Sequence, residues 1–287
     1  MTVQARVGGA AWTDRPIREL VAADLPNCLA LAQSRDWLAE EHKWRLLFAV
    51  GTVYGIDDPA GEGLAAVVVC TRYGPELAGI GMMLVASQHE RQGLGARLMR
   101  HAAVEAGVAT TWLNATEFGQ PLYEKLDFRV VDHSTQYRGH WFGVAPGDSR
   151  PVTAADLPEI LAMDAEVFGS DRSDVLRRMS QFADQFRVVS SPSGVAGYGG
   201  AWRNVDNTVL GPVIANDADT ARALLADLAA NVTGPVRLDL EHRRPDQIEW
   251  AIEHGLSAGS TTAVMIQGAD LPGDRTRLYN PLMVAMG

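Results

Sequence analysis

Nine residues near the start of the chain, Arg18-Glu19-Leu20-Val21-Ala22-Ala23-Asp24-Leu25-Pro26, return in its middle as Arg150-Pro151-Val152-Thr153-Ala154-Ala155-Asp156-Leu157-Pro158. Each copy reads as a short strand, an Asp at a helix N-cap, a Pro just inside the helix, and then an apolar-periodic helix. Two further echoes follow in the same order. Gly95-Ala96-Arg97-Leu98-Met99 is matched by Thr220-Ala221-Arg222-Ala223-Leu224, and Trp112-Leu113-Asn114 by Arg237-Leu238-Asp239. Short strand–helix units look alike by chance, but three matches in one order favour duplication. A chain of 287 residues also has room for two domains of about 100–150 residues each. The expectation is two similar domains, residues 14–144 and 150–287, parted by the turn-forming stretch 145–149.

Hydrophobic periodicity fills in the plan. The first half predicts a strand over 17–20, helices over 25–33 and 40–50, and strands over 51–56, 63–71 and 78–86. A helix over 94–106, a strand over 111–114, a short helix over 120–126 and a strand from 128 complete it. The second half predicts helices over 157–168 and 173–182, then strands over 186–190, 195–202 and 209–215. A helix over 220–230, a strand over 236–240, a helix near 247–253 and a strand over 261–266 follow. Long apolar runs such as Leu64–Cys70 suit strands buried on both faces. The fold class expected is α/β, in the α+β sense of a mixed sheet, with each domain a central mixed sheet flanked by helices. Residues 1–13 show no periodicity and are read as loose.

Composition narrows function by exclusion. The formal net charge is −10, and no basic stripe is present to displace counterions from phosphates. Neither nucleic acid nor an anionic membrane surface is therefore an expected partner. A small amine-bearing substrate is compatible with that charge. No apolar run reaches the roughly 18 residues of a membrane span, and no basic-then-apolar leader opens the chain. The predicted location is the cytoplasm. Cys28 and Cys70 sit in apolar patterns and read as small core residues. The seven histidines lack metal-ligand spacing, so no metal is expected.

Chemistry concentrates in Ile80-Gly81-Met82-Met83-Leu84-Val85-Ala86-Ser87-Gln88-His89-Glu90-Arg91-Gln92-Gly93-Leu94-Gly95-Ala96-Arg97-Leu98-Met99. A buried strand runs into a turn with two close glycines, and a long amphipathic helix starts at once. Such a turn aims backbone N–H groups and the positive end of the helix dipole at a diphosphate. Gly93 and Gly95 remove Cβ atoms that would hold phosphate oxygens away, and Arg91 adds charge. Alone, the turn also fits a plain strand–helix connection. A dinucleotide fingerprint fails because Leu98 stands at the third glycine, and a P-loop fails because no Gly-Lys-Ser/Thr follows.

A second passage, Trp112-Leu113-Asn114-Ala115-Thr116-Glu117-Phe118-Gly119-Gln120-Pro121-Leu122-Tyr123-Glu124-Lys125-Leu126-Asp127-Phe128, reads as strand, polar loop, short helix and strand. Together the passages resemble the GNAT superfamily of acyl-CoA-dependent N-acyltransferases. The family's Gln/Arg-x-x-Gly-x-Gly/Ala turn resembles Glu90-Arg91-Gln92-Gly93-Leu94-Gly95. Its Leu-Tyr-x-x-Leu-Gly-Phe signature resembles Leu122-Tyr123-Glu124-Lys125-Leu126-Asp127-Phe128. The likeness covers residues 15–140, and the whole chain is similar to tandem-GNAT bacterial proteins with a diverged second domain.

That resemblance implies acetyl-CoA as co-substrate. Backbone groups of Met83, Leu84 and Val85 would meet its pantetheine arm. The amides of Arg91, Gln92, Gly93, Leu94, Gly95 and Ala96 would hold its pyrophosphate. Tyr123, which by itself fits a packed helix aromatic, would become the general acid for the leaving thiolate. Trp37, Tyr54 and Asn114 would fall on the acceptor side. Trp37 and Trp44, seven positions apart, fit one helical face, either as core or as an aromatic wall for an amine. Glu90 and Asp127 depart from the family pattern. No general base is visible, because Gly81, Met82 and Met83 offer no carboxylate and Glu40, Glu41 and Glu117 read as solvated charges.

The second half has Val213-Ile214-Ala215-Asn216-Asp217-Ala218-Asp219-Thr220 where the first has its turn. It lacks the glycine pair, carries two aspartates that repel a diphosphate, and has no counterpart of Tyr123 near Ile248–Ala251. Residues 151–287 are expected to shape the acceptor pocket or a subunit contact rather than bind acyl-CoA. The expected reaction is transfer of an acetyl group to a primary amine of a small metabolite, an amino acid or a polyamine. A non-catalytic acyl-CoA sensor, or an acetyltransferase acting on protein lysines or N-termini, are the alternatives. A homodimer is left open.

Overall fold

The computed structural model describes residue 12 and residues 15–61, 63–143 and 147–286. Most of the loose start expected over 1–13, and Ala145 and Pro146 of the expected boundary, lie outside these. The first half runs β1 (Arg18–Leu20), α1 (Leu25–Gln33), α2 (Glu41–Val50), β2 (Thr52–Asp57), β3 (Leu64–Tyr73), β4 (Leu77–Val85), α3 (Leu94–Ala106), β5 (Thr110–Ala115), α4 (Gln120–Glu124) and β6 (Arg129–Gly139). The second runs β7 (Arg150–Pro151), α5 (Leu157–Phe168), α6 (Ser173–Phe182), β8 (Gln185–Ser191), β9 (Gly194–Arg203), β10 (Thr208–Ala215), α7 (Ala218–Ala230), β11 (Val236–Glu241), α8 (Pro245–Glu253), β12 (Leu256–Gly268) and β13 (Leu278–Asn280). The class is mixed α/β, as expected.

The repeated nonapeptide has a physical basis. Arg18 forks onto Asp24 at 3.0 and 2.8 Å, and Arg150 onto Asp156 at 2.8 and 2.7 Å. These aspartates were expected to cap the following helices, and they do not. Each lies in the αR region rather than the extended conformation a cap needs. Their carboxylates instead turn back to accept from Val21 N–H at 2.9 Å and Thr153 N–H at 2.8 Å. The pair thus pins the corner between the opening strand and its helix.

One sheet of 13 strands crosses the molecule in the order β1-β2-β3-β4-β5-β12-β6-β11-β10-β9-β8-β7, with β13 beside β10. The sheet does not divide where the chain does. β12, from the second half, pairs antiparallel with β5 of the first, while β6 of the first pairs antiparallel with β11 of the second. β12 and β6 pair with each other between them. Each half thus lends a strand, β6 or β12, to pair with a strand of the other half.

Helices α1, α2, α5 and α6 share a single apolar cluster on one face, joining both halves through Trp44, Leu47, Phe168, Met179 and Trp202. The other face carries α3 over one cluster and α7 over another. β3 shows the consequence in sequence. Val67 and Val69 enter the first cluster and Ala66, Val68 and Cys70 the second, so no polar position interrupts the run.

Candidate functional site

β4 and β5 lie parallel and pair only at Leu77–Thr110, Ala78–Thr111 and Gly79–Trp112. Beyond Gly79 they part. On its other side β4 is bulged: one β3 residue, Val68, faces Met82 and Met83 between the pairs Val69–Gly81 and Val67–Leu84. Met82 takes a φ of +51°, a conformation unusual for a side chain of its size. The bulge turns the β4 edge from Gly81 to Val85 into the gap. Those backbone groups have no partner strand on that side, which is the arrangement an extended ligand completes as an added strand.

The gap opens a cavity of about 440 Å³ lined by residues 80–85, Gly95, Asn114, Tyr123 and others. Met83, Leu84, Val85, Gly95, Asn114 and Tyr123, all named from sequence, meet there. Trp37 stands at its wall, 37% exposed, as does Phe118, 75% exposed. Tyr54 is elsewhere: it packs edge-on against His101 of α3 with ring centroids 4.7 Å apart and does not line the cavity. Trp37 and Trp44 do not share a helical face, because α2 begins only at Glu41. Trp44 is fully buried core, while Trp37 sits in the loop before the helix.

The turn into α3 has left-handed residues at Arg91 (φ +56°) and Gly93 (φ +86°). Gly93 is the N-cap residue and offers no side-chain cap, so the first-turn amides of Leu94, Gly95 and Ala96 have no protein acceptor among the described residues. Such a helix start favours an anion. The two glycines serve different ends. A Cβ on Gly93 would touch nothing, so its role is conformational, whereas a Cβ on Gly95 would press within 3.1 Å of Leu122. The side chains of Arg91 and Gln92 are exposed, and Gln92 accepts from the Trp12 indole.

Glu90 is neutralised by a residue the sequence reading missed. Arg35, two residues beyond α1, pairs with it at 2.6 Å, and both line the cavity. Nothing in the local pattern of Arg35 marks it, since the contact depends on tertiary packing. Asp127 takes the left-handed conformation of the glycine it replaces, with φ +63°, which Asp tolerates better than most residues. Tyr123, in α4, is 9% exposed, and burial alone pushes its phenol up to about 12. Gly119 makes room for the ring, since a Cβ there would lie 3.0 Å from Tyr123 Cε2. Glu40, expected in solvent, is buried instead, bonded to Lys43 and to Asn204 at 2.7 Å, and takes no part in this site.

The second half repeats the gap and fills it. β10 and β11 pair in parallel only at Thr208–Val236 and Val209–Arg237. The space beyond holds β13, which sequence reading missed because three residues carry no periodicity. β13 runs antiparallel to β10 through Val213–Asn280 and Ile214–Leu278. Buried Asn280 stitches both walls, accepting from Asp239 N–H at 2.9 Å and donating to the Leu210 carbonyl at 2.7 Å. At the start of α7, Asp217 caps Thr220 N–H at 2.8 Å, so the amide facing an incoming anion is already satisfied.

From β13 the chain continues into the first half. Trp202 Nε1 donates to the Leu282 carbonyl at 3.1 Å, and Tyr73 Oη to the Met286 carbonyl at 3.0 Å. A Cβ on Gly81 of β4 would overlap the Ala285 carbonyl, and one on Gly211 of β10 would overlap that of Pro281. One tail therefore crosses both gaps. No group of three or more His, Cys, Asp or Glu able to hold a metal occurs among the described residues.

Models of the acetyltransferase (GNAT) domain match the chain twice, over residues 49–130 and 160–280. The chain is 26% identical over 253 residues to YitH, an uncharacterized N-acetyltransferase of Bacillus subtilis (strain 168), covering 86% of this chain and 89% of that one. A candidate acetyltransferase from Pyrococcus horikoshii has the same fold over 98% of both chains, with a TM-score of 0.81 at 18% identity. A tandem GNAT protein from the clavulanic acid biosynthesis pathway aligns over 90% of this chain and 99% of its own, with a TM-score of 0.62 at 11% identity. No helix among the described residues is long and apolar enough to cross a membrane.

Proposed function

The chain belongs to the GNAT acetyltransferases and carries two such domains in tandem, and from that premise we propose that its first half moves an acetyl group from acetyl-CoA to a primary amine of a small metabolite. The observation that carries this reading is the parted β4–β5 pair, whose cavity joins an open strand edge, an uncapped helix start and Tyr123. In this reading the pantetheine arm completes the edge at Met83, Leu84 and Val85. The pyrophosphate lies on the amides from Arg91 to Ala96. A β4 N–H polarises the thioester carbonyl.

The neutral amine attacks that carbonyl and forms the C–N bond. The C–S bond then breaks, and sulfur leaves with its electron pair toward the Tyr123 hydroxyl, which donates to it as acid. The nitrogen gives up its proton to solvent, and solvent restores the proton that Tyr123 shares with the sulfur. Among the described residues lining the cavity Glu90 is the sole carboxylate, and Arg35 holds it, so no side-chain base is assigned. The pairing of reactants in one gap supplies the orientation on which such a direct attack depends.

Residues 151–287 do not bind acyl-CoA in this reading, because β13 and Asn280 already satisfy the edge that a second pantetheine would need. The test is calorimetric titration of acetyl-CoA into the full-length protein beside a Gly93→Asp, Gly95→Asp double variant, followed by an amine screen. Binding at one site, abolished in the variant, supports the reading. A correctly folded wild type that binds no acetyl-CoA overturns it, and two sites per chain overturn the assignment of the second half.

A further inference from the structure

The cavity between β4 and β5 takes its walls from both faces of the sheet. Ile80, Leu113 and Tyr123 belong to the apolar cluster beneath α3, and Met83, Val85 and Leu122 pack against it. Met82 and Leu84 belong to the cluster on the opposite face, which α1 and α2 share. Successive β4 side chains thus line one gap from opposite sides, as the pleat of a strand dictates. The helix start of α3 and Tyr123 lie on the first of these faces. In the acyltransfer reading acetyl-CoA takes that side, and the acceptor is left the other.

The acceptor side is built from apolar groups and one closed ion pair. Met82 and Leu84 form it from the strand, and Trp37 lines it from the loop after α1. That loop is anchored through its backbone, since Trp37 N–H donates to the Ala32 carbonyl at 3.0 Å. Farther along β4 the tail already covers this face, with the Ala285 carbonyl against Gly81.

Arg35 and Glu90 are the sole charged side chains among the described residues lining the cavity, and they pair at 2.6 Å. Arg35 also donates to Ser87 Oγ at 2.5 Å. Neither partner is left over for a charge on the acceptor. A carboxylate, or a second ammonium, would enter without a counter-ion, and burying an unmatched charge is costly.

The mouth of the cavity points the same way. Trp37 and Phe118 both line it and both are exposed, as is Leu38 beside Trp37. Single exposed apolar side chains are ordinary, but their gathering at one cavity marks a surface that an apolar ligand covers. An aromatic ring also receives an ammonium on its face during entry.

We propose that the acceptor is a monoamine carried on an apolar body, aromatic or branched, with no second charge, and that Trp37 selects it. The proposal rests on the acyltransfer reading above and narrows its small amine to this class. The Trp37 ring receives the apolar body while the amine points into the gap toward the open β4 edge. Amino acids and polyamines, which composition alone admits, fall outside the class. Trp37 acts in specificity and touches no reacting atom.

The experiment measures turnover with acetyl-CoA, and binding by calorimetry without it, on the full-length protein. The compounds are 2-phenylethylamine and 3-methylbutylamine beside L-phenylalanine, L-leucine, 1,5-diaminopentane and 2-aminoethanol. The amino acids add a carboxylate, the diamine adds an ammonium, and 2-aminoethanol lacks the apolar body. At least one of the two apolar monoamines is expected to exceed all four comparators tenfold or more in kcat/KM. Trp37→Ala should raise its KM at least tenfold and that of 2-aminoethanol less than threefold. The variant's kcat should stay within threefold and its acetyl-CoA affinity within twofold, and Trp37→Phe should recover part of the KM. If Trp37→Ala does not fold, Trp37→Leu must show the KM rise. Acetyl-CoA binding with the comparators used as well as the apolar monoamines refutes this substrate class alone, as does acetyl-CoA binding with none of the six compounds acetylated. An unchanged KM in the variant removes Trp37 from selection. Monoamine binding without acetyl-CoA binding overturns the acyltransfer reading and leaves the site, and binding of neither overturns both.

Discussion

Replacing Tyr123 with Phe removes one oxygen from the wall of the cavity between β4 and β5 and leaves the ring in place. Burial is the single cause of the raised phenol pKa, and no hydrogen-bonding partner contributes to it. Folding stability should therefore change by no more than about 0.5 kcal/mol, as for substitutions that break no bond. The catalytic cost follows from the proton's energetics. The phenol sits at about 12, whereas an alkanethiol resembles Cys at about 8.5. Full transfer climbs about 3.5 pKa units, or about 5 kcal/mol. In the proposed reaction the proton would thus stay mainly on Tyr123 while the C–S bond breaks, with the hydroxyl acting as a charge-assisted hydrogen-bond donor to the departing sulfur.

A bond of that kind contributes about 1.5–3 kcal/mol, so Tyr123→Phe should lower kcat about 10- to 150-fold. Acetyl-CoA affinity should hold, because none of the groups assigned to the cofactor's backbone is altered. Thiol release at saturating acetyl-CoA, beside calorimetric Kd values, measures both. The sign of the shift also fixes a pH dependence. A pKa raised to about 12 keeps the phenol protonated throughout the neutral and moderately alkaline range, so no falling limb below about pH 11 belongs to Tyr123. A loss beyond about 10⁴-fold, the upper range of acid catalysis, would show complete transfer and refute the pKa argument. Unchanged kcat would remove Tyr123 from the reaction.

Three other outcomes follow from the same geometry. Gly93→Ala forces a Cβ into φ +86° and should cost about 1–2 kcal/mol of stability, read as a lower denaturation midpoint, together with weaker acetyl-CoA binding. Arg35→Met leaves the Glu90 carboxylate unpaired beside the phosphate turn and should weaken acetyl-CoA several-fold at low salt, with recovery in Arg35→Met, Glu90→Gln; equal affinity in all three proteins would contradict it. Burial pushes the Cys28 thiol up to about 12 and Cys70 up to about 11, so neither should react with an aromatic disulfide at pH 8 until denaturant unfolds the chain.

What could be read in advance was what is local. The β4–turn–α3 passage carries its glycines, its apolar strand and its amphipathic helix in consecutive residues, and each constrains the next. The nonapeptide repeat was visible because an Arg–Asp fork six residues apart fixes a corner in both halves. Neither feature reports which strand lies beside which. β12 was legible as a strand, but its place between β5 and β6 depends on pairing across more than a hundred residues. Arg35 and Asn280 were missed for the same reason, since each gains its partner only when distant segments meet. Trp37 and Trp44 misled through a helical period that the chain abandons in the loop before α2.

The two halves solve one problem in opposite ways. Parting two parallel strands in the middle of a sheet exposes backbone donors and acceptors that need partners. In the second half the chain provides them from β13, with Asn280 reaching both walls. In the first half the β4 edge stays open toward Tyr123, which leaves a ligand to complete it. The tail that closes one gap then lies against the other, where the carbonyl of Ala285 meets Gly81 on the face away from Tyr123. A side chain at Gly81 would displace the tail at Ala285, and one at Gly211 would displace it at Pro281. The diverged half is thereby tied to the cavity between β4 and β5 by its sheet, through β12, and by its tail. Once its own edge had been filled from within, it could lose the glycine pair and still keep a structural reason to retain the gap.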